Sequence, residues 1–282
     1  MLQSSQGVTD VSFESLSSKD FRFIQELIRE RAGIVIADDK QSNVNARLRR
    51  RMRKLKLRSF SDYCKLLREG EDEELQEVIN ALTTNFTSFF REPHHFDFLR
   101  DRVVPEFSKT RGRDSLRIWS SASSTGEEPY SIAITLLRAG LSANSVRILA
   151  TDIDSAVLDT ASQGVYDMEA VDSFDSSAKK TYLQRGTGNN DGKFRVGEEA
   201  RSCVHFKQLN LLAHTWPKLH PFDVIFCRNV IIYFSTEDKI RLVKHFAQVL
   251  RPGGYLFLGH SETIPEMREY QSTAYRIHQR TT

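Results

Sequence analysis

Two hydrophobic patterns divide the chain. In roughly the first 90 residues, apolar side chains recur at three- and four-residue intervals, as Phe21, Ile24 and Ile28 do between Ser18, which can cap a helix, and Gly33, which can end one. The same spacing predicts further helices over 42–57, from Ser59 or Ser61 to Gly70, and over 73–82. This part of the chain is therefore predicted to be all-helical.

Beyond residue 115, short apolar runs alternate with helical patterns. The runs predict strands at 116–119, 146–151, 204–207, 222–229, 255–258 and 273–277. Helices are predicted from Glu127, from about Ser155 and over 236–250. Such alternation is typical of an α/β fold with a mostly parallel, doubly wound sheet.

A less regular segment, from about 168 to 203, interrupts this alternation. It holds a glycine-rich turn, Arg185-Gly-Thr-Gly-Asn-Asn-Asp-Gly, between strand-like runs at 181–183 and 193–196. A turn between two such runs predicts a hairpin, so we expect an antiparallel β-subdomain inserted into the α/β domain. Its edge strand could pair with an extended peptide.

The loop after the first predicted strand is the clearest indication of a ligand. Residues 120–126 are small and rich in hydroxyls, and Glu127 and Glu128 open the helix that follows. In doubly wound folds, a strand, a small-residue loop and a helix bring the backbone close to a nucleotide-like ligand. The two carboxylates would repel a pyrophosphate, so we expect a cationic, adenosine-bearing ligand such as S-adenosylmethionine.

Polar residues follow two further strands at the same edge of the predicted sheet. Asp152 comes at the tip of the second strand, where folds of this kind bind ribose hydroxyls, although an aspartate there can also simply cap the next helix. Arg228, Asn229 and Tyr233 lie at the end of a later strand, and ligands bind outside the carboxyl ends of such strands. We expect these residues at the mouth of the site.

The segment between the two patterns mixes phenylalanines with the polar residues Asn85, Thr87 and Arg91. From the residues alone, it is either a packed interdomain linker or a linker folded over a ligand. His94 and His95 follow directly. Because adjacent residues on a helix do not face one site, we expect no metal there.

Basic residues dominate the second predicted helix, since every charged residue from Lys40 to Arg58 is a cation. Val44, Leu48, Met52 and Leu55 supply an inward stripe, so the cations cover the rest of the helix. The helix is a solvated face, a nucleic-acid-binding surface or a docking surface for an acidic protein. It lacks the aromatic residues that stack on bases, so we favour a protein partner and expect no nucleic acid.

Composition sets limits on class and location. The 282 residues, 39% of them hydrophobic and 27% charged, suggest about two domains. No run of 18 apolar residues indicates a membrane span, and the N-terminus lacks an apolar signal core. Cys64, Cys203 and Cys227 are far apart, without metal-ligand spacing. We expect a cytoplasmic protein with reduced cysteines, no metal and no membrane insertion.

Five motifs together are similar to those of one family. They are Thr84-Asn-Phe-Thr-Ser-Phe-Phe-Arg-Glu, Ser124-Thr-Gly-Glu-Glu-Pro-Tyr-Ser, Thr151-Asp-Ile-Asp, Phe226-Cys-Arg-Asn-Val-Ile-Ile-Tyr-Phe and Gly259-His-Ser-Glu. Through them the chain, from about Ser18 to Ile277, resembles the CheR chemotaxis-receptor methyltransferases. The resemblance implies a helical domain at 1–83 and a linker at 84–93. It also implies a class I S-adenosylmethionine-dependent methyltransferase domain at 94–282, with the antiparallel β-subdomain inserted.

The resemblance also implies an activity. Family members use S-adenosylmethionine to methylate glutamate side chains on the cytoplasmic helices of bacterial chemoreceptors, leaving S-adenosylhomocysteine. Some members also bind a receptor tether peptide at the β-subdomain. A glutamate is already ionised at neutral pH, so the reaction needs no base, and excluding water favours it. We expect the enzyme to act as a monomer.

The resemblance assigns roles by position. The family's cofactor contacts fall on Asn85, Thr87, Arg91, Glu128, Asp152, Asn210, Leu211, Arg228 and Asn229. Its receptor-docking surface falls on Arg47, Arg50, Arg51, Arg53 and Lys54. Arg91 and Tyr233 are candidates for orienting the acceptor carboxylate, and Asp154 is an alternative to Asp152 for the ribose.

Two rival functions remain. A nucleic-acid methyltransferase would explain the basic helix, but the strand end reads Cys227-Arg-Asn-Val, whereas enzymes acting on base amino groups use Asn/Asp-Pro-Pro-Tyr/Phe. A non-catalytic module that binds the cofactor as a signal is the second rival.

Overall fold

The computed structural model describes residues 14–70, 72–110 and 115–281. The chain forms two compact units. The first comprises Met1–Arg31 and Val35–Leu82, and the second Ala32–Ile34 and Thr83–Thr282. The segment 84–93, expected to be a linker, therefore clusters with the second unit.

The described part of the first unit is helical, as predicted. Its helices are α1 (Ser18–Ala32), α2 (Gln41–Lys54), α3 (Phe60–Glu69) and α4 (Asp72–Leu82), with a 3₁₀ turn at Asp38–Lys40. Ser17, rather than Ser18, caps α1, because its Oγ accepts a hydrogen bond from Asp20 N at 3.1 Å. The end of α2 lies before the predicted residue 57, because Lys56 adopts a φ of 58° and Leu57 N donates back to Met52 O.

Ten strands are found among the described residues of the second unit. They are β1 (Leu116–Ser120), β2 (Val146–Asp152), β3 (Val165–Asp167), β4 (Leu183–Arg185), β5 (Lys193–Val196), β6 (Val204–Gln208), β7 (Phe222–Cys227), β8 (Leu250–Leu258), β9 (Tyr270–Ser272) and β10 (Ile277–Arg280). Seven form one sheet in the order β6-β2-β1-β7-β8-β10-β9, in which the first five run parallel. This confirms the predicted mostly parallel sheet. The other three form an antiparallel sheet in the order β3-β5-β4.

Helices cover both faces of the large sheet. The described helices of the second unit are α5 (His94–Phe98), α6 (Val104–Lys109), α7 (Glu127–Arg138), α8 (Ser155–Gln163), α9 (Ser176–Tyr182), α10 (Glu198–Arg201) and α11 (Thr236–Val249), and a π-helical turn at Leu99–Val103 joins the first two. Successive residues of a strand point to opposite faces, and Ile118 and Trp119 of β1 are both fully buried, in two separate clusters. A sheet with a hydrophobic core on each face presents only its edges and strand ends to ligands.

Two strand predictions were wrong. The run 273–277 is mostly a turn, because β9 and β10 form a hairpin around it. In the inserted subdomain, Tyr182 ends α9 and β4 begins only at Leu183, so the strand predicted at 181–183 is displaced.

Candidate active site

The loop after β1 lies at the carboxyl edge of the large sheet, where β1, β2 and β7 end together. Ser121 N donates to Phe226 O of β7 at 2.8 Å, and Ser123 N donates to Thr151 O of β2 at 2.8 Å. Gly126 closes the loop with a φ of 100°, and a Cβ there would lie 2.9 Å from Ala161 Cβ and 2.8 Å from Tyr166 Oη. The small residues thus let the loop bridge two strands and let α7 start close to α8.

Two aspartates after β2 have separate roles. Asp154 caps α8 with Oδ1, which accepts Ala156 N at 2.9 Å, and its Oδ2 accepts Thr83 Oγ1 and Asn85 Nδ2, each at 2.7 Å. The capping role considered for Asp152 therefore belongs to Asp154, two residues closer to the helix. Asp152 is also buried, and burial raises its pKa.

Backbone donors hold the Asp152 carboxylate at the tip of β2. Its Oδ2 accepts Ser124 N at 2.8 Å and its Oδ1 accepts Asp154 N at 3.0 Å. The backbone N–H of Ile153 also donates to this carboxylate, so about one of its four acceptor positions remains for a ligand hydroxyl. Asp154, whose two oxygens accept four bonds, has less capacity left.

The segment 85–92 is anchored on the second unit rather than hanging free. Phe89 is buried, with its ring centroid 4.9 Å from that of Tyr166 and 4.8 Å from that of Phe174. Asn85 O accepts a hydrogen bond from Ser124 Oγ at 3.0 Å. The segment therefore lies beside the β1 loop, and half-buried Thr87 and Arg91 are part of it.

Arg228 joins three parts of the candidate site. Its Nη1 lies 3.0 Å from Glu128 Oε2 at the start of α7, and its Nη2 lies 3.2 Å from Glu92 Oε2. Nη2 also donates to Arg91 O at 2.5 Å, and the side chain is 2% exposed. Burial tends to raise the pKa of Glu92, but Arg228 and the backbone N–H of His260 hold it below its ordinary value. Burial raises the pKa of Glu128, against the opposing effect of Arg228.

Glu262 organises the loop after β7, a role that was not predicted from the sequence. The side chain is 1% exposed. Its Oε2 accepts Gly259 N at 2.6 Å and Asn229 N at 2.8 Å, while its Oε1 accepts Val230 N at 2.8 Å and Ile231 N at 2.9 Å. Asn229 has a φ of 58°, so this carboxylate fixes it in a left-handed conformation. The available signal was the motif Gly259-His-Ser-Glu, in which a glutamate follows a strand end by a few residues.

The two residues expected to orient an acceptor lie at different parts of this edge. Arg91 Nη1 donates to Phe86 O at 3.0 Å, and its guanidinium lies 5.6 Å from the centroid of the largely exposed Phe86 ring. Tyr233 ends the 3₁₀ turn Ile231–Tyr233 and is partly buried against one of the two core clusters.

Asn210 and Leu211 follow β6, next to β2. Leu209 N donates to Asp152 O at 2.9 Å, which draws this segment to the tip of β2. Asn210 Oδ1 accepts Leu212 N at 2.9 Å, and Leu211 is 6% exposed. The cofactor residues implied by the resemblance thus come from five segments that meet at one sheet edge.

Comparison with known proteins gives the family. A model described as "CheR methyltransferase, SAM binding domain" matches residues 85–278, and one described as "CheR methyltransferase, all-alpha domain" matches residues 19–83. The chain belongs to the CheR methyltransferase family. This confirms the resemblance drawn from the motifs, the fold class and S-adenosylmethionine as the cofactor.

Curated relatives match the CheR-family chain over most of its length. "Chemotaxis protein methyltransferase 2" of Pseudomonas aeruginosa is 48% identical over 247 residues, covering 87% of each chain. The "Chemotaxis protein methyltransferase" of Klebsiella aerogenes is 46% identical, covering 89% of this chain and 86% of its own. That of Escherichia coli is 44% identical, covering 90% and 87%. These relatives confirm the predicted function in its general form, a methyltransferase of chemotaxis.

Two cations of the basic helix make contacts within the all-alpha domain. Arg51 binds the carboxylate of Glu74 through Nε and Nη2, at 3.0 and 2.6 Å, and its Nη1 lies 3.0 Å from Glu77. Arg47 Nη1 donates to Leu82 O at 3.0 Å, at the end of α4. Both were expected to face a receptor, and these contacts also join α2 to α4 within the domain. Three of the expected docking residues are exposed: Arg50, Arg53 and Lys54.

The adjacent histidines of the CheR-family chain correct one expectation. Ligand atoms of Glu92, His94 and His95 lie within 4.8 Å of one another, so the two residues do approach one point. They can do so because they begin a short helix, with ring centroids 4.3 Å apart. Burial, together with Arg228, lowers the pKa of His95 to about 4. The positively charged guanidinium of Arg228 lies beside Glu92 and would repel a metal cation, so this cluster is a poor metal site.

Within the described residues, every helix is too short or too polar to cross a membrane.

Proposed function

We propose that this CheR-family enzyme transfers the methyl group of S-adenosylmethionine to glutamate side chains on the cytoplasmic helices of bacterial chemoreceptors. The observation that carries the proposal is the acidic lining of the candidate site. Glu92 and Glu128 flank the guanidinium of Arg228, and Asp152 lies at the tip of β2. This charge balance suits a sulfonium cation and disfavours a pyrophosphate.

Asp152 is our candidate for the ribose hydroxyls, because its carboxylate keeps an acceptor position at the strand tip, whereas all four positions of Asp154 are used by the cap and by the 83–85 segment. The remaining cofactor contacts are proposed from the family pattern: Asn85, Thr87, Arg91, Glu128, Asn210, Leu211 and Asn229. Arg228 is nearly inaccessible between two carboxylates, so we assign it a positioning role toward Glu92 and Glu128.

The chemistry places few demands on the protein. S-Adenosylmethionine supplies an activated methyl group on a cationic sulfur, and a glutamate acceptor is already anionic at neutral pH. The enzyme therefore has to exclude water and orient the acceptor, which supplies most of the required rate. Arg91, half-buried beside Phe86, is our candidate for orienting the carboxylate by a charge-assisted hydrogen bond, with Tyr233 as a second orienting group.

The exposed cations of α2 are our candidate docking surface for an acidic receptor helix. We expect the triple variant Arg50→Glu, Arg53→Glu, Lys54→Glu to lose receptor methylation, because opposite charges become like charges. Cofactor affinity should be unchanged, since the three residues belong to the other unit. Wild-type methylation should also fall as salt rises, because exposed charges are screened over about 8–10 Å. Lys180→Glu serves as a matched surface control. An unaltered methylation rate in the triple variant would mean that α2 is an ordinary solvent-exposed face and not a docking surface.

A receptor tether peptide is a further proposed partner. In the three-stranded sheet, β4 pairs with β5 on one side only, so Leu183–Arg185 is an edge strand. An extended peptide can add to such an edge through backbone hydrogen bonds.

The test is incubation of the enzyme with radiolabelled S-adenosylmethionine and bacterial membranes rich in chemoreceptors. We expect label on receptor protein as a methyl ester, which alkali releases as methanol. Receptors with the target glutamates changed to alanine serve as the control. Label on nucleic acid would instead support a nucleic-acid methyltransferase. Cofactor binding without any methyl transfer would support a non-catalytic module.

A further inference from the structure

The hairpin turn between β9 and β10 has an unusual backbone. Its central residues, Tyr275 and Arg276, have φ values of 53° and 63°, and Ile277 N donates to Ala274 O at 2.8 Å. Positive φ at both central positions is the pattern of a type I′ turn, which favours Asn-Gly because a large side chain is disfavoured there. Two bulky residues therefore occupy positions that penalise them.

Surrounding groups hold this turn in place. His95 lies within 2.8 Å of Tyr275 O through Nε2, and because a carbonyl only accepts, that nitrogen carries the proton. Leu258 N donates to Arg276 O at 3.0 Å. Strained residues persist where the environment over-determines them, and such strain is concentrated at functional sites. The fold fixes this backbone, yet both side chains point away from the core.

The Tyr275 ring is 66% exposed, and its centroid lies 5.1 Å from that of His94. A tyrosine this exposed buries little apolar surface when the chain folds. Packing therefore does not explain why it occupies a strained backbone position. Tyrosine is enriched at the centres of protein interfaces, because its ring is apolar and its hydroxyl is polar.

The turn is linked to the candidate active site by short contacts. Arg276 Nε donates to His260 O at 3.3 Å, and His260 N donates to Glu92 Oε1 at 3.2 Å. Glu92 is the partner of Arg228. An acceptor that reaches this site from the side of His260 therefore passes the turn.

A basic groove lies next to the turn. Its volume is about 670 Å³, and its lining includes two arginines, Arg268 and Arg276, against one acidic residue, Glu266. His278 also lines the groove, but burial and the nearby Arg276 lower its pKa, so it is neutral at pH 7. Within the described residues, His278 Nε2 is buried without a hydrogen-bond partner. Such a groove is complementary to an acidic surface.

We propose that the turn at 274–277 and this groove are a second contact surface for the acidic receptor helix that carries the target glutamate. Tyr275 packs on the apolar side of that helix, while Arg276 and Arg268 face its carboxylates. The inference rests on the proposed function, because it names the surface that presents the acceptor to the same site.

The decisive variant is Tyr275→Asn with Arg276→Gly, which gives the turn the residues that its backbone prefers. We expect a melting temperature equal to or above that of the wild type, together with binding of a purified cytoplasmic receptor fragment weakened about 5- to 50-fold, the range for a few lost polar and aromatic contacts. KM for the fragment should rise in parallel, and affinity for S-adenosylhomocysteine should be unchanged. Arg268→Ser, which leaves the turn intact, should weaken fragment binding in the same direction, while Lys180→Ser should not.

The outcomes separate the two proposals. Unchanged fragment binding in the folded double variant overturns the second contact surface, whether or not the wild type methylates the fragment. A wild type that binds the fragment and cofactor but transfers no methyl group overturns the proposed function, and loss of binding in the variants would still support the surface.

Discussion

Removing the Glu262 carboxylate should be among the most damaging single changes in the second unit. Four backbone N–H groups donate to it: those of Gly259 and Ile231 are buried, and those of Asn229 and Val230 are partly buried. A buried donor without an acceptor costs about 1–3 kcal/mol. Glu262→Ala leaves four such donors, but the vacated space admits water for about half of them. We therefore expect a loss of about 3–5 kcal/mol in the free energy of unfolding.

The isosteric change separates the carboxylate from the volume of the side chain. In Glu262→Gln the amide oxygen can still accept two of the four donors, but the NH₂ group then faces the other two. We expect a loss of about 2–3 kcal/mol, roughly half of the effect of alanine. Cofactor affinity should fall in both variants, because the carboxylate fixes Asn229 in its left-handed conformation.

Urea unfolding at pH 7 measures the stability loss, provided that the slope with denaturant stays constant. The matched control is Glu266→Ala, an exposed glutamate in the same segment, for which we expect a change within about 0.5 kcal/mol. If Glu262→Ala stays within about 1 kcal/mol of the wild type, the four hydrogen bonds do not contribute as argued.

Three further predictions address the site. Asp152→Ala should weaken S-adenosylmethionine binding by about 1.5–3 kcal/mol by calorimetry, whereas Asp154→Ala should mainly lower stability because it removes a cap; the reverse result would move the ribose to Asp154. Tyr233→Phe should keep cofactor affinity and lower single-turnover methylation about 5- to 150-fold, and an unchanged rate would remove Tyr233 from the site. The lowered pKa of His95, about 4, means that the unfolded chain binds a proton first as pH falls, so stability should drop between about pH 6.5 and 4, by up to about 3 kcal/mol. Urea titrations at several pH values would test this, and a His95→Gln variant with the same pH dependence would contradict it.

The sheet was predictable because strand and helix periodicities follow directly from which faces are buried. The hairpin at β9 and β10 was not, because its turn contains no glycine, proline or asparagine. Ala274, Tyr275 and Ile277 resemble a strand in the sequence, and only the left-handed backbone of two residues makes the turn. Rules based on preferred turn residues fail where strained residues are used instead.

The site was predictable where residues follow strand ends, since parallel strands bring those ends together. Asp152, Arg228 and Asn229 were placed at this edge of the sheet in this way, and the structure has them there. Glu262 was not, because its partners are backbone N–H groups that no side-chain pattern reveals. Likewise, a run of cations in the sequence does not indicate which of them form ion pairs within the protein. Arg51 can bind Glu74 only when α2 and α4 pack together.

The bond from Arg228 to Arg91 O joins positions 137 residues apart in sequence. Contacts that close such long loops are slow to form, because the chain loses much entropy before the contact is made. The strands and helices in between can pair over shorter distances along the chain. The segment that holds Arg91 can make its bond to Arg228 only after the end of β7 is in place. We therefore expect the cofactor site to be completed late in folding, so that S-adenosylmethionine binds only chains that have finished folding.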